Sequence, residues 1–227
     1  MKAPINARLK LLATLIRDGA VLADVGTDHA YLAIHLLREG RITFAHLSDI
    51  NAEPLNRARR NVELYELSDR VSFHLTNGAA ELFDLGITDY AIAGMGGELI
   101  ADIISAAPHL KAKNVNLALQ PMTKPEVLRA YLYDNGFEIV DEKYASDEGK
   151  NYVCIQAIYT SVCSPYSLAD IHFGKVRTGI PVCGAEMTYM REQLKRLEGV
   201  RRGKRLGGIA TDIEDELISA LEKRLGQ

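Results

Sequence analysis

The sequence predicts an α/β fold: a mostly parallel, doubly wound sheet with an antiparallel hairpin at one edge, followed by a C-terminal α-helical hairpin. Three observations lead there. Short apolar runs beginning at Ala20, Thr43, Val71, Asp89 and Val115 are separated by amphipathic or turn-bounded segments, the alternation of βα units. Two further alternating segments, 137–144 and 152–159, are joined by the short stretch 145–151, too short for a crossover helix, so they pair antiparallel. From Ala185 the pattern turns wholly helical.

In chain order, Leu9, Leu12, Ala13 and Ile16 share one face of a helix over 5–17, which Asp18-Gly19 ends. Ala20 to Val25 is a buried strand, Gly26 allows a sharp turn, and Tyr31 to Arg38 is a helix packed on that strand. Thr43 to Ser48 forms the second strand and ends at Asp49; a helix over 54–67 follows. Val71 to Leu75 is the third strand, leading into Asn77-Gly78. Asp89 to Ala93 is the fourth, followed by a loop Gly94 to Gly97 and a helix through Ile100, Ile103 and Ile104. Val115 to Leu119 ends at Gln120-Pro121, and a helix over 126–135 stops at Gly136.

Residues 1–160 are expected to form the sheet domain and 161–227 a connector plus the helical hairpin. Pro165, Gly174, Gly179 and Pro181 mark the connector. Met187, Met190, Leu194 and Leu197 form one packing stripe, and Ile213, Leu217, Leu221 and Leu225 the other. The join between them, VRRGKRLGG, reads as an exposed basic turn.

Composition excludes several classes. No apolar run approaches the roughly 20 residues of a membrane span, and MKAPINARLK lacks an apolar leader core, so a cytoplasmic location is expected. The three cysteines form no C-x-x-C pair, and no H-E-x-x-H or G-x-S-x-G spacing occurs, so neither a metal site nor hydrolytic chemistry is expected. The net charge is −3, yet 175–205 holds nine Lys or Arg against three Glu, a local excess that suits a polyanion.

The first turn, ADVGTDHAYL, carries the chemistry. Asp24 and Asp28 flank Gly26 where a dinucleotide would lay its pyrophosphate, and the second and third glycines of a G-x-G-x-x-G fingerprint are missing. A cationic ligand without phosphates fits this surface, and S-adenosylmethionine, with sulfonium and ammonium charges, is such a ligand. Asp49, some twenty residues after Gly26, stands where a carboxylate accepts hydrogen bonds from ribose hydroxyls. Asn77 is placed to bond an adenine amino group. The glycines of Gly94-Met95-Gly96-Gly97 let the backbone approach a ligand closely.

ADVGTDHAYL, SDIN, NGAAEL, AGMGGELI and LQPM together are similar to the bacterial tRNA (adenine-22-N1)-methyltransferases over essentially the whole chain. The resemblance implies a Rossmann-like class I methyltransferase fold, S-adenosylmethionine as cofactor and tRNA as substrate, with no protein partner. It implies that Asp24, Gly26 and Asp28 line the amino-acid end of the cofactor, Asp49 its ribose, and Asn77 and Gly78 its adenine, with Thr27 and Ile50 also among the cofactor-binding residues. Gly94, Met95 and Gly96 bound the same ligand and, with Gly97, face the target base. Asp28, His29 and Tyr31 are the implied catalytic residues: Asp28 stabilises a cationic product, His29 contacts substrate and Tyr31 stacks on a base. Arg201, Arg202, Lys204 and Arg205 are the implied tRNA contacts. Ala33, Met122 and Lys175 depart from the family pattern. The rival readings are a methyltransferase for another RNA position or a small molecule, and a non-catalytic RNA-binding protein on the same fold.

Overall fold

Ala20 to Val25 alternates its side chains between two faces, and each face finds a separate apolar layer. In the computed structural model, which describes residues 4–147, 149–175 and 184–226, the elements in order are α1 (Ala7–Ala13), β1 (Ala20–Val25), α2 (Tyr31–Arg38), β2 (Ile42–Asp49), α3 (Ala52–Leu64), β3 (Val71–Leu75), β4 (Asp89–Gly96) and α4 (Gly97–Ser105). Then come β5 (Asn116–Thr123), α5 (Pro125–Asp134), β6 (Phe137–Asp147), β7 (Lys150–Tyr159), α6 (Leu168–Phe173), α7 (Gly184–Leu206) and α8 (Asp212–Leu225).

The sheet runs β3-β2-β1-β4-β5-β7-β6, with β7 antiparallel to both neighbours and every other pairing parallel. The predicted doubly wound sheet with an antiparallel edge hairpin is therefore present. Strand order reverses between β1 and β4, so the crevice above their carboxyl ends is the natural ligand site of such a sheet.

Leu12, Ile16, Leu22, Leu36 and Ala58 belong to the layer shared by α1, α2 and α3 on one face. Ala23, Ile92, Ile104, Leu128 and Leu132 belong to the other, which continues without a break into Tyr189, Met190, Leu197, Leu217 and Leu221 of α7 and α8. At the amino end of the sheet Asp89 is fully buried and bound by Arg17 (2.8 Å) and Asn116 (2.6 Å), a polar knot that closes the end away from the crevice.

Several expectations need correcting. β4 does not stop at Ala93: its ladder with β5 continues through Met95 and Gly96, so the first three residues of the expected loop are strand and Gly97 opens α4. β5 likewise runs past Gln120-Pro121 to Thr123, because that ladder supplies partners there. The connector contains α6, started by a capping box in which Ser167 and Asp170 satisfy each other's backbone N–H groups. Positions 176–183, including Gly179, Pro181 and Cys183, lie outside the described residues.

The C-terminal pair differs most. α7 continues through the basic stretch to Leu206, so VRRGKRL is helix and the turn is confined to Gly207–Thr211. Ile213 is exposed; the buried positions of α8 are Glu214, Leu217, Ile218 and Leu221, which shifts the stripe by one residue at its start. Glu214 takes the inner place because Lys204 of α7 reaches it at 2.7 Å.

Gly97 shows what one glycine contributes here. A Cβ on it would meet the backbone oxygen of Lys124 at 2.2 Å, so the β5–α5 turn sits directly on the start of α4. Backbone cannot swing aside as a side-chain tip can. Gly97→Ala is therefore expected to cost about 1–3 kcal/mol, read as a lower urea midpoint with an unchanged slope.

Candidate active site

The crevice is floored by β1. On β1 the even positions face α1, so Asp24 points to the same side as Leu22 and ends buried beneath the N-terminal helix. Thr27 donates its hydroxyl to Asp24 Oδ2 (3.0 Å), and Arg8 of α1 supplies a positive charge nearby. Burial outweighs both and pushes the Asp24 carboxyl up to about 6. A carboxylate kept in such surroundings calls for a cation.

The turn's own N–H groups do not offer an anion site. Gly26 and Thr27 both donate to the Ser48 carbonyl of β2 (2.8 and 2.9 Å), and Ala30 donates to the Thr27 hydroxyl (3.2 Å). At these three positions no N–H group is left free to face a ligand. Gly26 adopts a left-handed φ of +75°, and α2 starts from Ala30, also left-handed at +58°. A Cβ on Gly26 would lie 2.1 Å from Met95 Cε, which places the Met95 side chain from β4 directly over the first turn.

Asp49 lies at the end of β2, where its Oδ1 accepts the Asn51 N–H (2.7 Å). Ile50 is 60% exposed beside it. Asn77 is exposed on the turn after β3, and Gly78 has a φ of +70° with Ile103 packed against it. Leu75 is exposed at the end of β3, so Ile50 and Leu75 give this edge of the crevice an apolar rim. The buried hydroxyls of Ser48 and Thr76, on the same edge, have no partner among the described residues. A nucleoside with a cationic tail fits this set: acceptors at Asp24 and Asp49, an apolar rim, and spare hydroxyls between them.

Gly94, φ +79°, donates its N–H to Gln120 Oε1 (3.2 Å), and the same oxygen accepts Arg8 Nη1 (2.6 Å). Arg8 and Gln120 thus belong to the site although sequence reasoning gave neither a role. A cation on the amphipathic first helix, one turn before its buried stripe, was the available signal. Gly96 and Gly97 lie behind, supporting Thr123 and Lys124.

Asp28, His29 and Tyr31 do come together. The rings of His29 and Tyr31 stack at 5.0 Å with planes 8° apart, and His29 Nε2 lies 3.2 Å from Asp28 Oδ2. Asp28 also accepts Arg57 of α3 through Nε (2.8 Å) and Nη2 (2.5 Å), and Glu53 holds the same guanidinium at 2.9 Å. Arg57 is a second neighbour that the linear sequence did not announce.

Three of the four basic residues expected to contact tRNA are paired. Arg201 and Arg205 bind Asp215, and Lys204 binds Glu214, all on α8. Arg202 has no ion pair among the described residues. Among those residues no group of acidic, histidine or cysteine side chains is arranged to hold a metal, and no helix is long and apolar enough to cross a membrane.

Residues 5–155 match the family model described as a methyltransferase domain. The chain is 34% identical over 154 residues to the tRNA (adenine(22)-N(1))-methyltransferase of Bacillus subtilis strain 168, 67% of this chain and 64% of that protein. It thus spans just under two thirds of that curated relative. A Streptococcus pneumoniae putative tRNA (m1A22) methyltransferase solved with S-adenosyl-L-methionine is 31% identical, with a TM-score of 0.84 over 97% of this chain and 99% of that one. A Streptococcus agalactiae protein of the NADB-Rossmann superfamily is 28% identical, with a TM-score of 0.83 over 99% of both chains. With the family model matching residues 5–155 and likeness over nearly the full length of a solved relative at 31% identity, this chain belongs to the methyltransferase domain family, in the group of the tRNA (adenine-22-N1)-methyltransferases.

Proposed function

We propose that this protein methylates ring nitrogen 1 of adenine 22 in tRNA, with S-adenosylmethionine as methyl donor. The observation that carries the reading is the buried Asp24 carboxylate beneath a turn whose N–H groups at Gly26, Thr27 and Ala30 are already spent. Such a cradle rejects a phosphate and accepts an ammonium group. When bound, S-adenosylmethionine supplies a methyl on a sulfonium, which leaves as a neutral thioether while the adenine nitrogen takes the methyl and the positive charge.

The chain's part is to bind and position. Asp24 holds the ammonium group, Arg8 pairs the carboxylate beside it, and Asp49 accepts from the ribose. Ile50 and Leu75 cover the adenine of the cofactor and Asn77 bonds its amino group. Met95 and the backbone at Gly94 close the reacting side, with Gly96 behind them. No proton need be removed from the target nitrogen, which has a free lone pair, so the useful group is an anion that stabilises the charged product. Asp28 serves that role, with Arg57 and His29 holding its position and Tyr31 stacked beside them. Residues 1–160 perform the transfer and 161–227 hold the RNA. The reaction belongs to the cytoplasm.

Incubating the protein with labelled S-adenosylmethionine and unmodified tRNA transcripts, then mapping the label, tests the reading. Label on nitrogen 1 of adenine 22 supports it. Label elsewhere overturns the position; binding of both partners without transfer points to a non-catalytic RNA-binding protein.

For Asp28→Asn the expectation is a kcat about 10-fold or more lower, since loss of one charge-stabilising contact costs on the order of 1.5–3 kcal/mol, with unchanged cofactor affinity by calorimetry. A full rate would remove Asp28 from the mechanism. Among the basic residues, Arg202→Ala should reduce the slope of log K for tRNA against log salt by about 1. Arg201→Ala and Arg205→Ala break exposed pairs to Asp215, costing the helical pair about 0–1 kcal/mol each; anisotropy titrations at several salt concentrations separate these effects.

A further inference from the structure

Between the β5–α5 turn and helices α6 and α7 lies a half-open cavity of about 380 Å³, which none of the site residues above lines. That volume lies within the roughly 300–1,000 Å³ of ordinary ligand sites. Its walls are of two kinds. The β5–α5 turn contributes the apolar Met122 and Pro125 with one charge of each sign, Lys124 and Glu126; His172, Gln193 and Arg196 bring polar groups from α6 and α7.

The wall at the β5–α5 turn is held in a costly conformation. Lys124 has a φ of +52°, a left-handed geometry that a non-glycine residue adopts only under constraint. The constraint is visible: Gly97 leaves just enough room for the Lys124 carbonyl, and Gly96 for the Thr123 hydroxyl, 3.2 Å from where a Cβ would stand. The paired glycines where β4 meets α4 therefore position this cavity as well as the catalytic crevice. Lys124 is also tethered to Glu98 at 2.7 Å.

The opposite wall belongs to the C-terminal helices. Arg196 is exposed and donates through Nε to Gln193 Oε1 (3.2 Å), which orients the fork of its guanidinium. Burial lowers the pKa of His172, with Glu126 opposing and Arg196 and Arg129 reinforcing the shift. A neutral imidazole offers one donor and one acceptor. The Arg196 guanidinium for a phosphate, an amide and imidazole for a base edge, and an apolar plate for a base face make up the chemistry of a nucleotide site.

We infer that this cavity receives an unpaired nucleotide of the RNA substrate next to the one that is methylated, so that α6 and α7 select the substrate directly. The inference rests on the proposed tRNA substrate. The occupant is a neighbour of the reacting base for a geometric reason. β5 is two strands from β1, about 10 Å at the usual strand spacing. Methyl transfer needs the reacting atoms within about 3.5 Å. One nucleotide step along the RNA spans the difference.

The test pairs Arg196→Gln and Gln193→Leu, both on the outer part of α7, with tRNA transcripts in which each nucleotide flanking adenine 22 is made abasic in turn. Wild-type protein should show a KM about tenfold higher on one abasic transcript, the scale of one lost polar anchor. Each variant should show a similar rise on intact tRNA and little further rise on that same transcript, with kcat and S-adenosylmethionine affinity unchanged. Unchanged KM in both variants, or rises that multiply with every abasic position, overturns the cavity assignment. Absence of transfer by the wild-type protein to any tRNA overturns the underlying reading instead, so the two failures are distinct. Circular dichroism melts of both variants, expected to match the wild type, exclude misfolding as the cause.

Discussion

Asp24→Asn is expected to stabilise the ligand-free protein while removing most of its affinity for S-adenosylmethionine. The carboxyl of Asp24 is pushed up to about 6 from 3.8, mainly by burial. The folded state therefore binds a proton more tightly than the unfolded chain does. Stability from this group falls as pH rises from about 4, and above 6 the folded protein carries the full cost of the buried charge, about 3 kcal/mol. Asparagine keeps the shape and still meets the Thr27 hydroxyl without that cost. At pH 7.5 the variant should melt about 6–12 °C higher, and below pH 4 the advantage should vanish.

Cofactor affinity moves the opposite way. An ammonium group needs the ionised carboxylate, so wild-type affinity should weaken as pH falls through 6. Asp24→Asn should bind about 30- to 100-fold less tightly, as when a buried charge-assisted hydrogen bond is lost. Calorimetric titration across pH 5–8 and thermal melts of both proteins check the two halves. A variant that melts lower and still binds would refute this account of Asp24.

Arg129→Ala is expected to be the most damaging single change outside the crevice. Arg129 on α5 is fully buried, pairs with Glu142 of β6 at 2.7 Å and donates to the carbonyls of Ile171 and His172 at the end of α6. Arg224 of α8 repeats the device, binding the Phe173 and Gly174 carbonyls and Glu186 of α7. The end of α6 is thus clamped by two guanidinium groups, one from α5 and one from α8. Losing Arg129 leaves Glu142 as an uncompensated buried charge and frees both carbonyls.

The cost should be about 3–5 kcal/mol by urea denaturation. Replacing the pair together, Arg129→Met with Glu142→Leu, should cost much less, because no charge is stranded. Equal losses in the single and double variants would show that the carbonyl contacts, not the ion pair, carry the stability.

The elements were legible in the residues because the signals that set them are local. β1, α2 and β3 have the bounds that apolar runs and turn glycines predict, and the edge hairpin follows from a join too short to cross over. The acidic turn, its single glycine and the carboxylate at the end of β2 were likewise visible as residue types at a spacing. Strand ends were less legible: β4 and β5 extend each other past Ala93 and Gln120 because each supplies the other's hydrogen bonds.

Partners separated along the chain could not be read at all. Arg8 reaches Gln120 across 112 positions, and Arg57 reaches Asp28 across 29. Arg201, Lys204 and Arg205 read as a free basic turn until α8 brought Asp215 and Glu214 against them. Composition and periodicity report what a segment does with its own backbone and which face it buries. Which charge meets which, and how far a carboxyl is shifted, depend on how the elements stack, and that is set only when the whole sheet and its helices close around one core.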